Sequence, residues 1–199
     1  MELNVLICGV GGQGSVRASH ILAEAAINAG ERARVGETFG AAMRGGKVSS
    51  HVRIGDVYGP LIRQRTADII IAQEPLEGLR IGQQFVSPQG VVILNPEPVY
   101  PVDVSTGNAE YPPIEEIEKV LRGLAGKVAV VEGTKIAGEI GNPRSMNIVM
   151  LGAAYGTDLI TFDRKILLDV IAVAFNPKFK ELNERAFLVG EEAGREALR

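Results

Sequence analysis

Several residue types that enzymes use for chemistry are scarce in this chain of 199 residues. It has one cysteine, two histidines and no tryptophan, and aromatic residues make up 5% of it. The single cysteine, Cys8, can neither close an internal disulfide nor supply the four thiolates that an iron–sulfur cluster usually needs. Because Cys8 ends an apolar run, we expect it to be a buried and unreactive thiol.

Long apolar runs and an excess of positive charge are also missing. No stretch approaches the roughly 20 apolar residues that span a bilayer, and no basic, cleavable leader is visible, so we expect a cytoplasmic protein without a membrane partner. The net charge of −3 argues against non-specific nucleic-acid binding. The length and the 46% share of hydrophobic residues predict a single domain, residues 1–199, with one sizeable core.

The few candidate catalytic groups form no recognisable constellation. His20 falls in a predicted helix and His51 on the polar face of a predicted strand, and neither has a sequence neighbour that completes a nucleophilic pair. No spacing of His, Cys, Asp and Glu matches a metal site. The acidic pairs fit solvated helix faces: Glu115-Glu116, Glu191-Glu192 and Asp163/Asp169. We therefore predict no catalytic residue and no metal ligand, and interpret the chain as a binding subunit.

Glycine turns are the most informative feature that the sequence does contain. The run Gly9-Val10-Gly11-Gly12-Gln13-Gly14 follows the apolar segment Asn4–Cys8, and its register fits the dinucleotide fingerprint G-x-G-x-x-G. A strand, a glycine turn and a helix in this order leave backbone N–H groups free to face an anionic or polar ligand. Such a turn can equally serve only to pack a helix closely on a sheet.

A second glycine turn, Arg44-Gly45-Gly46, lies nearby in sequence and carries an arginine. Residues 15–66 around it contain eight Lys or Arg against four acids. We expect Arg44 to meet an anion or a partner subunit, since its guanidinium matches carboxylate and phosphate groups.

Periodicity predicts an α/β fold: a three-layer, mostly parallel, Rossmann-like sheet with an inserted antiparallel β-hairpin. Lys47–Ile54 alternates strictly, and Gly55-Asp56 predicts a turn that pairs it with Val57–Ile62. Further strands are predicted at a weak site around Arg34-Val35 and at Ala67–Ala72, Val91–Leu94 and Lys127–Val131. Helices are predicted from a Ser15 cap to Ala29, in part of Pro75–Phe85, and at Pro113–Leu124, Thr134–Ile140 and Ser145–Tyr155. Two more are predicted at Ile166–Phe175, with Asp163 as its cap, and from Asn176-Pro177 to about Leu198.

Together the two glycine turns and the following Val-Arg strand resemble the gamma subunit or domain of the 2-oxoacid:ferredoxin oxidoreductases. Within that family the chain is similar to the small (beta) subunit of the indolepyruvate branch. Two further segments carry the resemblance, Ala67–Glu77 and Asn142–Asn147 followed by Met150–Ala153. The resemblance runs over most of the chain.

The resemblance implies a subunit of an enzyme that oxidatively decarboxylates 2-oxoacids, with thiamine diphosphate and [4Fe-4S] clusters on a large partner subunit. Ferredoxin accepts the electrons and coenzyme A the acyl group; a two-plus-two assembly and a role in anaerobic aromatic amino acid catabolism are also implied. Residues expected in a cofactor site are Gly9, Gly11, Gly12, Gln13, Gly14, Arg44, Gly45 and Gly46. Whether they contact coenzyme A, substrate or only the partner chain stays open.

The sequence leaves two other functions open. A stand-alone NAD- or flavin-binding oxidoreductase, or another nucleotide-binding protein, is supported by the glycine fingerprint and by Glu37, which lies where a ribose-binding acid is expected. The weak second strand and the missing second domain count against it. A purely structural subunit with an empty glycine loop is the other alternative.

Overall fold

The structure is a computed structural model that describes residues 2–40 and 46–199. In these residues six strands form a sheet with the order β2-β3-β1-β4-β5-β6. The strands are β1 (Leu3–Val10), β2 (Ala33–Phe39), β3 (Lys47–Ile54), β4 (Ala67–Ala72), β5 (Val86–Leu94) and β6 (Lys127–Val130). β1, β4, β5 and β6 pair in parallel, whereas β3 runs antiparallel to both β1 and β2.

Helices cover both faces of the sheet, which confirms the predicted three-layer α/β fold. They are α1 (Ser15–Asn28), α2 (Pro75–Phe85), α3 (Val102–Ser105), α4 (Ile114–Leu124), α5 (Gly133–Ile140), α6 (Met146–Tyr155), α7 (Arg164–Ala174) and α8 (Lys180–Ala197). β1 shows why both faces need cover: Val5 and Ile7 join one apolar cluster with α1 and α6, while Leu6 and Cys8 join the other with α4. None of the described helices is both long and apolar enough to cross a membrane.

The predicted hairpin partner of β3 is wrong. Val57–Ile62 forms no strand, and β3 pairs instead with β2, where Val35 lies opposite Val52. Pro60 interrupts the segment and has no N–H to give to a ladder. The N–H of Ile62 donates to the side-chain Nδ1 of His51 at 3.2 Å, and not to the main-chain carbonyl of a paired strand.

The predicted cap of α1 is also wrong. Gly14 occupies the N-cap position with φ 85°, and Ser15 is the first residue of the helix. The hydroxyl of Ser15 donates to Oε1 of Gln73 at 2.7 Å rather than accepting from its own helix. The cap of α7 is confirmed, since Oδ1 of Asp163 accepts from Lys165 N–H at 2.8 Å.

The small-residue helix α6 is a core helix, buried from Met146 to Ala154. It crosses α8 at backbone contact distance, because a Cβ on Gly190 would lie 2.0 Å from the carbonyl oxygen of Val149. Glu191 on α8 contradicts the predicted solvated face: it is 4% exposed and pairs with Arg164 at 3.2 Å and with Arg195 at 3.1 Å. Burial of this carboxylate is tolerated because two guanidinium groups compensate its charge.

Candidate functional site

The glycine loop joins β1, in the middle of the sheet, to α1. Gly12 and Gly14 adopt φ of 109° and 85°, a region that side chains on L-residues rarely enter. The first hydrogen bond of α1 runs from Ala18 N–H to the Gly14 carbonyl at 3.0 Å. The N–H groups at residues 15–17 therefore have no acceptor within the helix, and they point toward the loop side as at any helix N-terminus.

The side chain of Gln13 braces this loop from within. Its Oε1 accepts from Val10 N–H at 2.9 Å, and its Nε2 donates to the carbonyl oxygen of Gln73 at 3.1 Å. Gly9 leaves the room for it, because a Cβ there would lie 2.4 Å from Gln13 Oε1. Gln13 and Gly9, both predicted to belong to a cofactor site, thus fix the shape of the loop through contacts inside the protein.

Gly46, the last residue of the second glycine turn, lies against the first turn. Gly11 donates its N–H to the carbonyl oxygen of Gly46 at 2.8 Å. Arg44 and Gly45 lie outside the described residues. Gly46 therefore lies directly beside the first glycine turn.

Polar residues after the neighbouring strands complete the floor of the loop, and the sequence analysis did not assign them to it. Gln73 follows β4; its N–H donates to the Cys8 carbonyl at 2.8 Å, and its carbonyl accepts from Nδ2 of Asn95 at 3.0 Å. Asn147 on α6 donates to the Gly14 carbonyl at 3.2 Å. The usable signal was position, since parallel strands present their carboxyl ends at one edge of a sheet, where ligands bind.

A buried carboxylate next to this floor holds the proline-dense segment 95–113. Glu74 is 1% exposed and caps α2 by accepting from Glu77 N–H at 2.8 Å. It also accepts from the hydroxyl of Tyr111 and from Val99 N–H. Burial and the neighbouring carboxylate raise the pKa of Tyr111, so its hydroxyl stays protonated as a donor. The segment is therefore fixed beside the glycine loop at Val99 and Tyr111.

Two cavities flank the glycine loop and share Gly12, Gly14 and Arg17. The larger, of about 610 Å³, lies between α1 and the strands β2 and β3, and His20 and Phe39 also line it. The other cavity has a volume of about 460 Å³. Val99 and Arg144 line it, together with residues of α5 and α6. Both volumes lie in the range of small-molecule sites.

Positive charge predominates at these cavities. Arg17 is exposed, donates to the carbonyl of Ala174 at 3.3 Å and lies over the ring of Phe175 at 5.7 Å. His20 is exposed too, with Nε2 2.9 Å from Glu37 Oε1. An arginine beside unpaired helix N–H groups suits a phosphate or carboxylate. The arrangement can bind and orient an anion.

Cys8 lies under this site as an inert thiol. It is fully buried, and burial raises its pKa well above the usual value, with the carboxylates of Glu77 and Glu74 acting in the same direction. The thiolate is the nucleophilic and metal-binding form, so Cys8 lacks the reactive state. Among residues 2–40 and 46–199, no group of three or more His, Cys, Asp and Glu residues could hold a metal ion.

Comparison with known proteins decides the family. The family model described as pyruvate ferredoxin/flavodoxin oxidoreductase matches residues 4–193. The chain belongs to this family. Indolepyruvate oxidoreductase subunit IorB of Thermococcus kodakarensis is 38% identical to it over 199 residues, which cover 99% of this chain and 98% of that protein.

Two gamma subunits of other oxidoreductases are less similar to this chain. The common gamma subunit of the pyruvate/ketoisovalerate oxidoreductases of the same organism is 31% identical, covering 90% of this chain and 92% of the relative. The solved gamma subunit of a keto/oxoacid ferredoxin oxidoreductase from Geobacter sulfurreducens superposes with a TM-score of 0.71 at 22% identity, covering 96% and 98% of the two chains. The latter likeness confirms the α/β fold.

The sheet order of this family member differs from that of a dinucleotide-binding domain. In such a domain a parallel strand lies beside β1 and carries the ribose-binding acid. Here the antiparallel β3 separates β1 from β2, and Glu37 on β2 is engaged by His20. The G-x-G-x-x-G pattern is therefore present here without the strand order and the free acid that a dinucleotide-binding domain has.

Proposed function

We propose that this chain, as a single gamma-type domain of residues 1–199, is the small subunit of an indolepyruvate ferredoxin oxidoreductase. The observation that carries the proposal is the similarity to IorB along nearly the whole of both chains, at 38% identity against 31% for the pyruvate/ketoisovalerate gamma subunit. Its substrates are aryl pyruvates, and it works in the cytoplasm in a two-plus-two complex with a large subunit.

The large subunit holds thiamine diphosphate and the [4Fe-4S] clusters in this proposal, and passes electrons to ferredoxin. One buried cysteine cannot bind such a cluster, which is consistent with cluster ligands on another chain. Thiamine diphosphate supplies the stabilised carbanion that decarboxylation of a 2-oxoacid requires. This chain contributes binding and orientation.

We assign the glycine loop to the anionic part of coenzyme A at the shared site. Three features support the assignment: the N–H groups at the start of α1, which have no acceptor within the helix, the exposed Arg17, and two cavities that meet at Gly12 and Gly14. An extended ligand with several phosphates fits adjoining cavities with cationic walls better than a compact neutral one. Gly9, Gly11 and Gln13 hold the loop, and Gly46 lies beside it. We assign Arg44 and Gly45 to the same site from their place in the sequence next to Gly46.

The experiment is an anaerobic assay of the complex purified from cells that express both subunits. Indolepyruvate and pyruvate are compared under coenzyme A saturation, with viologen reduction as the readout. We expect a kcat/KM for indolepyruvate at least about tenfold above that for pyruvate, which corresponds to about 1.4 kcal/mol of discrimination. A preference for pyruvate would overturn the branch assignment while leaving the family in place.

A nucleotide-binding function is tested on this chain alone. Titration of NADH into the chain, followed by nicotinamide fluorescence, should give no saturable signal in the micromolar range. Saturation there would favour the stand-alone NAD-binding reading over the subunit assignment.

A further inference from the structure

A third cavity lies on the face of the sheet that α2 covers, away from α1. It has a volume of about 300 Å³, and its apolar wall consists of Leu61, Ile62, Ile81 and Phe85. The strands β2 and β3 supply its polar wall, which includes His51. We call it the His51 cavity.

His51 presents a hydrogen-bond donor to this cavity. The residue is 3% exposed, and its Nδ1 accepts from Ile62 N–H at 3.2 Å, so the hydrogen of the neutral ring resides on Nε2. Within residues 2–40 and 46–199, Nε2 of His51 has no hydrogen-bond acceptor. Because His51 lines the cavity, an acceptor on a ligand there can reach this N–H and take its hydrogen bond.

The other polar groups of the cavity are mostly engaged. The hydroxyls of Thr38 and Ser49 bond each other at 2.6 Å, and Glu77 is paired with Arg80. Lys47 is exposed at the rim, and no carboxylate pairs with it in the described part of the chain. The cavity thus offers the ammonium of Lys47 and the N–H of His51 to an incoming anion, and Gln84 also lies in its wall.

The apolar wall favours a flat ring. Phe85 already meets the imidazole of His51 edge to face, with 5.3 Å between ring centroids, and Ile81 and Leu61 flank the opening. A ligand ring there would gain aromatic contact as well as apolar burial.

We propose that the His51 cavity binds a small aromatic carboxylate, with its ring against Phe85 and its carboxylate toward His51 Nε2 and the ammonium of Lys47. The site goes beyond the proposed function and does not depend on it, because it requires neither turnover nor the partner's cofactors. It gives this chain a place where an aromatic acid can bind apart from the glycine loop.

The test uses the fact that the full chain has two histidines. Indole-3-acetate, which has no 2-oxo group to react, is titrated into the chain with labelled imidazole rings, and both ring signals are followed by NMR. The His51 signal should move and saturate with a Kd of about 1 mM or tighter, while that of exposed His20 stays in place. Indole has only the ring of the probe, and acetate has only its carboxylate. Each should bind at least about fivefold more weakly than indole-3-acetate.

Variants separate this site from adventitious binding. Lys47→Gln should weaken binding of indole-3-acetate about three- to fivefold, and Lys135→Gln, an equally exposed change on α5, should not alter it. Ile81→Trp should abolish binding by filling the cavity. Absence of saturation by about 10 mM, movement of both histidine signals together, or equal affinity in Lys47→Gln would overturn the proposal.

Discussion

The side-chain amide of Gln13 donates to the main-chain carbonyl of Gln73 across 3.1 Å and so ties the glycine loop to the end of β4. The same side chain accepts from Val10 N–H, and Ser15 donates to the Gln73 side chain. The loop is therefore held from both ends before any ligand arrives. Preorganised donors of this kind cost less to bring into contact with an anion than mobile ones.

Gln13→Ala removes two half-buried hydrogen bonds and leaves the Val10 N–H without its side-chain acceptor, while the Gln73 carbonyl keeps its bond from Asn95. We expect the free energy of unfolding to fall by about 1–3 kcal/mol, and the KM for coenzyme A of the assembled enzyme to rise. Urea unfolding of the chain measures the first effect. Gln83→Ala, an exposed change on α2, is the control and should stay within about 0.5 kcal/mol of the wild type.

Arg17→Ala removes a cation that both glycine-loop cavities share. We expect the KM for coenzyme A to rise about tenfold with kcat little changed, since a charge-assisted hydrogen bond of about 1.4 kcal/mol is lost. Arg44→Ala should act in the same direction. Arg185→Ala, on the exposed side of α8, should have no effect.

The phosphates of coenzyme A provide a sharper readout for the arginines. Pantetheine carries the same thiol without the nucleotide phosphates, so Arg17→Ala should leave its KM unchanged. If Arg17→Ala raised the KM for coenzyme A and for pantetheine equally, Arg17 would have no role in phosphate binding.

Gly190→Ala tests the crossing of α6 and α8. A Cβ would sit 2.0 Å from the Val149 carbonyl oxygen, so the helices must separate, and we expect destabilisation by more than about 3 kcal/mol in thermal or urea unfolding. Gly138→Ala is the matched control in α5, where a Cβ meets nothing within 4 Å. It should be neutral or stabilise by up to about 1 kcal/mol.

His51 predicts a pH dependence of stability. Burial lowers its pKa below the usual 6.5, so on acidification the unfolded chain takes up a proton before the folded chain does. This contribution is complete above about pH 6.5 and is lost as the pH falls toward the lowered value. The free energy of unfolding should drop more between pH 7.5 and 5.5 in the wild type than in His51→Phe. An identical slope in His51→Phe would contradict the account.

Local patterns in the sequence predicted much of this fold. Continuous apolar runs identified β1 and β4, because strands buried on both faces need them, and Asp163 marked the start of α7 correctly. The hairpin was misassigned because Gly55 permits a turn toward either neighbour, and the better partner, β2, is weakly patterned. Which strand pairs with β3 depends on tertiary packing.

The glycine loop of the site could be predicted from the sequence, whereas the polar floor beneath it could not. The glycine loop is local, and its position before α1 follows from residues 9–14. The floor is not local: Gln73 and Asn147 reach the loop across 58 to 133 positions of the chain. Glu191 illustrates the same limit, since Arg164 compensates its charge from 27 positions away. Such pairs carry no signal in a local window.

The central claim, that this chain completes a two-subunit 2-oxoacid oxidoreductase, is tested most directly by omission. The large subunit is assayed anaerobically with indolepyruvate, coenzyme A and a viologen or ferredoxin, with and without this chain. The account predicts that the two chains form a stable complex and that electron transfer requires both. Full activity of the large subunit alone, or failure of the two to associate, would contradict it.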